Sequence, residues 1–171
     1  MRPDEERAYV EYVKGRMTSL RRTAYRLSGD WQLAEDLTQS ALIRLFTAWR
    51  RASRANSVDA YSQQILVRLW LDETRRPWRR ASVMADVPER AVRQVDPETR
   101  MVLMGALAEV PPRQRAVLVL RFWEGLSVSE TAHVMGCAEG TVKSQPSLGL
   151  AALRRLLPDA ALAGQAKGDP R

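Results

Sequence analysis

Histidine and cysteine each occur once in this chain, as His133 and Cys137. A lone cysteine excludes an internal disulfide and a cysteine-based zinc site. A lone histidine leaves little room for a histidine-based catalytic triad. Glu130 and His133 do form an E-x-x-H pair, which in helical bundles can hold iron, but that chemistry needs a second copy and the chain has none. A glycine-rich phosphate loop is missing as well. No apolar run approaches membrane-spanning length, and the first residues, MRPDEERAYVEYVKGRM, are charged throughout where a signal peptide would be apolar. These absences predict no catalytic residue, no metal, no cofactor, no membrane partner and a cytoplasmic location.

Lysine is scarce too, standing only at positions 14, 143 and 167, so arginine carries nearly all of the positive charge. The net charge is +7 and the isoelectric point is near 10.3, which points to a polyanion or an acidic partner. Because 20 acidic residues accompany the 27 basic ones, the charge is not that of a simple basic tail. Guanidinium groups suit phosphates and base edges, and a GC-rich genome would enrich arginine equally.

Apolar periodicity divides the chain into helices. Val10, Val13, Met17, Leu20, Ala24 and Leu27 recur at steps of three and four, predicting one face of a helix over 5–28 that Gly29 stops. Asp30 can cap a second helix, whose apolar face is Leu33, Leu37, Ala41, Leu45 and Trp49, with Leu42 and Phe46 beside it. Its opposite stripe, Asp36, Gln39, Ser40, Ile43 and Thr47, is either a solvated face or a surface suited to a basic helix of another protein. From Arg50 to Ser57 the period fails and a loop is expected, with Ser57 or Asp59 as the next cap. The helix after it is apolar almost all round from Ile65 to Leu71, as expected of a sandwiched helix or one that binds something. It ends in Arg75, Arg76, Trp78, Arg79 and Arg80. Guanidinium groups interleaved with an indole can hold single-stranded nucleic acid, or serve only the helix dipole.

Residues 77–97 carry three prolines and no sustained period, so they are the expected linker between two domains. Asp96 can cap a helix that starts with Pro97 and Glu98 and runs to about Glu109. Pro111 and Pro112 break it, and RQRAVLVLRFWEG should form another helix closed by Gly125. Ser127 and Glu130 then form an S-x-x-E capping box. Small Ala132, turn-forming Gly136 and apolar Val142 follow with the spacing of a helix-turn-helix, whose second helix would turn Lys143, Ser144 and Ser147 toward a DNA major groove. Pro146 lies inside that second helix, where it removes one hydrogen bond, costs about 3 kcal/mol and should kink the helix. Beyond Pro158 only small and polar residues remain and disorder is expected.

With both halves read, GDWQLAEDLTQSALIRLFTAWRR and VPPRQRAVLVLRFWEGLSVSETAHVMGCAEGTVKS resemble an extracytoplasmic-function sigma factor, closest to the arginine-rich actinobacterial members of the SigE type. The resemblance implies an all-α fold of two small helical domains. These would be sigma region 2, a three- or four-helix bundle, over 1–76, a linker over 77–97, sigma region 4 with the helix-turn-helix over 98–157, and a disordered tail over 158–171. It implies core RNA polymerase as partner, through the β′ clamp coiled coil and the β flap, with Asp36, Gln39 and Ile43 making the clamp contact and Ser40 standing where the family usually has Glu. Promoter DNA would be the second partner and a separate inhibitory anti-sigma protein a candidate third. Opening and holding of the −10 element would fall to Asn56, Arg68, Asp72, Arg75, Arg76, Arg79 and Arg80, with Arg68 in place of the family's usual Asn. The −35 element would be read by Thr141, Lys143, Ser144 and Ser147, with Pro146 and Leu148 replacing a polar residue and an arginine. A stand-alone dimeric helix-turn-helix regulator is the rival reading. It would account for 98–157 and leave the second-helix stripe and the arginine-tryptophan segment without a role.

Overall fold

The computed structural model describes residues 1–76 and 97–156, apart from the side chains of Thr99, 146–149 and 152–156. The expectations for the linker, the Asp96 cap, Trp78, Arg79, Arg80 and the tail lie outside the described residues. Among those described, every regular element is helical.

Helix α1 spans Pro3–Ser28, with Pro3 at its start and Asp4, Glu5 and Glu6 in a first turn whose free N–H groups favour negative charge. Glu5 accepts the Arg2 backbone N–H at 2.8 Å. That bond, helped by the Arg50 side chain, draws its carboxyl down to about 2. Gly29, at φ 72°, ends the helix by donating to the Tyr25 carbonyl. Leu20, Thr23, Ala24 and Leu27 are buried as the period predicts or beside it, but Val10 and Met17 are 41% and 45% exposed. Tyr9 and Tyr12 take the inward places instead. The Tyr9 hydroxyl donates to the Leu42 carbonyl at 2.9 Å, and that of Tyr12 donates to Asp59 at 2.9 Å. A count of apolar residues alone passes over rings that are buried by body and satisfied at the tip.

Helix α2, Trp31–Thr47, starts where Asp30 accepts the Leu33 N–H at 3.0 Å. It buries Ala34, Leu37, Thr38, Ala41, Leu42 and Leu45. Phe46, expected beside that face, is exposed, with its ring set edge-on to Tyr9 at 5.1 Å. Where a loop was expected from Arg50, a short helix α3, Trp49–Ala52, forms around buried Trp49. Ser57 caps α4, Val58–Thr74, by accepting the Ala60 N–H at 3.1 Å. This helix is sandwiched. It packs on α1 and α2 with one side and on the second half of the chain with the other, which accounts for apolar residues all round it.

In the second half α5 spans Pro97–Glu109, α6 Pro112–Leu118, α7 Val128–Met135 and α8 Glu139–Leu156. Helix α6 runs on into a π-helical turn, Val119–Trp123, before Gly125 at φ 68° closes it. Ala106, Leu107, Val110 and Leu118 make a small core of their own. The main core is common to both halves: Leu20, Leu27, Leu66 and Trp70 join Val117, Leu120, Val134 and Val142 in one cluster. Helical units of some sixty residues bury too little surface to be strongly stable alone, and sharing a core offsets that.

Candidate nucleic-acid interface

The helix-turn-helix is built as its sequence dictates. Ser127 accepts the Glu130 N–H at 3.1 Å while the Glu130 carboxylate accepts the Ser127 N–H at 2.7 Å, so both orphan donors of α7 are met. The Ser127 backbone N–H holds the Glu130 carboxyl below its ordinary value. Gly136, at φ 63°, turns the chain in the left-handed region that a side chain would strain. Ala132, Val134, Met135 and Val142 are buried between α7 and α8 and the rest of the core. Lys143 and Ser144 are exposed on the first turns of α8, Thr141 is half-buried, and Ser144 Oγ donates to the Thr141 carbonyl at 3.1 Å. Ser147 lies further along α8. The helix runs from Glu139 to Leu156 with Pro146 inside it, so the proline does not end it.

The second expected surface is the stripe on α2. Asp36, Gln39, Ser40, Ile43 and Thr47 are all exposed, Ile43 to 65%. Asp36, Ser40 and Ile43 line one wall of a groove of about 480 Å³, whose other wall is Leu69, Asp72, Glu73 and Arg76 of α4 and the residues after it. Two residue sets that the sequence kept apart, Asp36 and Ile43 on one side and Asp72 and Arg76 on the other, therefore share one groove.

The −10 set is spread along α4 rather than clustered. Asn56 precedes the helix and Arg75 and Arg76 follow it, about 25 Å away at 1.5 Å per residue. Arg75 and Arg76 are exposed, and each pairs loosely with a carboxylate three residues back, Asp72 at 3.8 Å and Glu73 at 3.7 Å. The Arg75–Asp72 pair is exposed at both ends and yields readily to phosphate, whereas the Glu73 side chain is only 14% exposed. Arg68 stands on the side facing the helix-turn-helix, with a guanidinium nitrogen 3.9 Å from where a side chain on Gly136 would begin. Trp70 is 2% exposed and belongs to the core rather than to a stacking platform.

Sequence reasoning missed a polar cluster at the opposite end of α4. Arg51 donates twice to the Tyr61 hydroxyl, at 2.9 and 2.6 Å, with its guanidinium carbon 5.6 Å from the ring centre. Arg16 forms a two-pronged pair with Asp59, one arm at 2.8 Å, and that bond holds the Asp59 carboxyl below its ordinary value. Burial pushes neighbouring Tyr12 up to about 12. Together these pairs fix the base of the 53–57 turn that carries Asn56. Partners ten and 43 residues apart leave no periodic trace in the sequence.

Among the described residues no group of His, Cys, Asp or Glu is placed to hold a metal ion, and no helix is long and apolar enough to cross a membrane. Residues 13–80 match the model of Sigma-70 region 2, and residues 100–153 that of Sigma-70, region 4. The chain is 38% identical over 156 residues to the RNA polymerase sigma-E factor of Streptomyces avermitilis, covering 87% of this chain and 84% of that one. It is 30% identical over 151 residues to the ECF RNA polymerase sigma factor SigM of Mycobacterium tuberculosis, covering 88% and 77%. Its fold is similar to that of the sigma factor RpoE in complex with the anti-sigma factor NepR from Bartonella quintana. The TM-score is 0.73 at 23% identity over 87% of this chain and 96% of that one. It is also similar to CnrH in complex with the cytosolic domain of CnrY, with a TM-score of 0.65 at 19% identity over 88% of each chain.

Proposed function

The chain belongs to the extracytoplasmic-function RNA polymerase sigma factors, and on that premise we propose how its two halves divide the work of promoter-directed initiation. A sigma factor binds core RNA polymerase and brings it to a promoter. The domains over 1–76 and 98–157, joined by the linker 77–97, take separate parts in this. Asp36, Gln39 and Ile43 dock on the β′ clamp coiled coil, where an acidic and polar stripe with one exposed aliphatic complements basic helices. Region 4 meets the β flap. Asn56, Arg68, Asp72, Arg75 and Arg76, with Arg79 and Arg80, track the opened −10 strand, and Thr141, Lys143, Ser144 and Ser147 meet the −35 duplex at the start of α8.

The observation that carries this reading is the order of parts: a region 2 stripe exposed on α2, then a helix-turn-helix whose cap, turn and anchor are all in place. The protein acts in the cytoplasm, without catalytic residues or cofactor of its own. An anti-sigma protein that covers the α2 stripe would silence it, as the complexes formed by its structural neighbours suggest. Mixing the protein with core polymerase should produce promoter-specific transcripts, and Ile43→Asp should weaken core binding at least tenfold. A dimeric regulator would instead footprint a palindrome unaided, and that outcome would replace this reading.

A further inference from the structure

Arg54 and Asn56 stand on the turn between α3 and α4, both exposed, and neither side chain has a partner among the described residues. The backbone below them is tied down on each side. The Ser53 N–H donates to the Trp49 carbonyl at 2.8 Å and the Ala55 N–H to that of Ala52 at 3.1 Å, which binds the near side of the turn to α3. On the far side Ser57 caps α4. These bonds are local, and α3 itself packs on α1 and α2. Among the described residues the polar contact that crosses from α3 to α4 is the Arg51–Tyr61 pair, two guanidinium nitrogens donating to one phenol oxygen at 2.9 and 2.6 Å. Tyr61 stands on a fixed element. Two residues before it, Asp59 accepts from Tyr12 and Arg16 of α1. Two residues after it, Gln63 donates at 3.5 Å to Glu124, a carboxylate that also accepts from Thr23 and Arg26 of α1.

Resting on the sigma reading above, we propose that Arg51 and Tyr61 are positioning residues for base choice at the −10 element, holding the turn so that Asn56 presents its amide to the opened strand in one orientation. An amide tells one base from another through two directional hydrogen bonds, and a shift of a fraction of an ångström in the group that carries it loses them. A turn free to move would offer that amide in many orientations, and the strand would have to order it at the cost of affinity. Cations that meet phosphate tolerate such motion, because charge is not directional. Arg51 is exposed and cationic, so a phosphate contact is its rival role. Its Nε and one terminal nitrogen are both committed to Tyr61, whereas Arg54, at the turn itself, has its donors uncommitted among the described residues. The pair therefore works through the turn, and Arg54 and Asn56 are the groups it leaves to face the strand.

The test measures base preference in the reconstituted holoenzyme. Its probes are a single-stranded −10 oligonucleotide, taken from a promoter on which the holoenzyme initiates, and a set in which each position is replaced in turn. Asn56→Ala identifies the position that Asn56 reads. Tyr61→Phe keeps the ring and removes only the acceptor, and it should lower discrimination at that same position by about tenfold. Adding Asn56→Ala to it should lower discrimination no further. Core affinity, the salt slope and preferences at other positions should stay as in the wild type. In the free full chain, amide hydrogen exchange over 53–57 should quicken at least about threefold. Arg51→Gln should behave in the same way, and it takes the place of Tyr61→Phe where circular dichroism shows that variant unfolded. A salt slope reduced by about 0.7 in Arg51→Gln would make Arg51 a phosphate contact and overturn the proposal. So would a folded Tyr61→Phe with unaltered exchange or unaltered preference. Asn56→Ala with every preference intact overturns instead the place of Asn56 in the sigma reading, while exchange still decides whether Arg51 and Tyr61 hold the turn.

Discussion

The Arg115 guanidinium donates to the Leu27 carbonyl at 2.8 Å while its carbon lies 5.4 Å from the centre of the Trp70 ring. The same group donates to the Ala108 and Val110 carbonyls at 2.7 and 2.9 Å. One side chain of α6 thus meets the orphan carbonyls at the ends of α1 and α5 and covers the face of a core indole on α4. Burial lowers its pKa to about 10, which leaves it charged at neutral pH. Arg115→Met keeps the stem and strips three carbonyls of their donor. It should lower unfolding free energy by about 2–3 kcal/mol, read from urea unfolding followed by tryptophan fluorescence. A change under about 0.5 kcal/mol would mean that water replaces the guanidinium without loss.

Acid and alkaline stability should depend on neighbouring residues. Asp59 has its folded pKa depressed by the Arg16 hydrogen bond. Its contribution is therefore present above the unfolded value near 3.8 and is lost as pH falls through the lower folded value. Tyr12 is raised to about 12 by burial, so its contribution is present below the ordinary phenol value near 10 and is lost as pH rises toward 12. Asp59→Asn should flatten the acid limb of a plot of unfolding midpoint against pH and, because the Asp59 carboxylate helps to raise Tyr12, soften the alkaline limb to a smaller extent. Tyr12→Phe should flatten mainly the alkaline limb, with a smaller change on the acid limb because the Tyr12 hydroxyl also helps to lower Asp59, and an acid limb unchanged in Asp59→Asn would refute the assignment.

At the −10 element the decisive quantity is the salt dependence. Each backbone contact to single-stranded DNA contributes about 0.7 to the slope of log affinity against log salt, and each to duplex about 0.9. Arg75→Ala and Arg76→Ala, measured in the holoenzyme on a single-stranded −10 oligonucleotide between about 50 and 200 mM salt, should each reduce the slope by about 0.7. Lys143→Ala should leave that slope unchanged and reduce the one for −35 duplex by about 0.9. Slopes that respond identically on both substrates would undo the division between the halves.

What could be read ahead of the structure was local. Asp30, Ser57, Ser127 with Glu130, and the turn glycines Gly29, Gly125 and Gly136 all mark helix ends through chemistry that reaches no more than four residues. Each does so in the fold. Trp70 lies in a stretch that is apolar almost all round, and in the fold it is core. The features that escaped depend on partners distant in sequence. Tyr9 and Tyr12 replaced Val10 and Met17 at the buried face because carbonyl and carboxylate partners on α2 and α4 were waiting for their hydroxyls. Arg51, Arg115 and Glu124 carry no local sign of their roles, since nothing in their sequence neighbourhood records the ring, the carbonyls or the donors that surround them after folding.

Pro146 is where local rule and fold pull hardest against each other. The sequence predicts a kink in the recognition helix at Pro146, and α8 is helical from Glu139 to Leu156 on both sides of it. A proline there has no N–H to give the carbonyl four residues back, which is that of Val142, the fully buried anchor of α8. The lost bond therefore falls beside Lys143 and Ser144, while the rest of the helix ladder and the buried Val142 anchor hold α8 in place. Pro146→Ala should raise unfolding free energy by up to about 3 kcal/mol. We further expect −35 reading to be confined to Thr141–Gln145. Pro146→Thr with Leu148→Arg should then tighten −35 binding by the holoenzyme and steepen its salt slope by about 1, as one added phosphate contact does. Unchanged affinity and slope would show that the first turns of α8 already read all that this helix can reach.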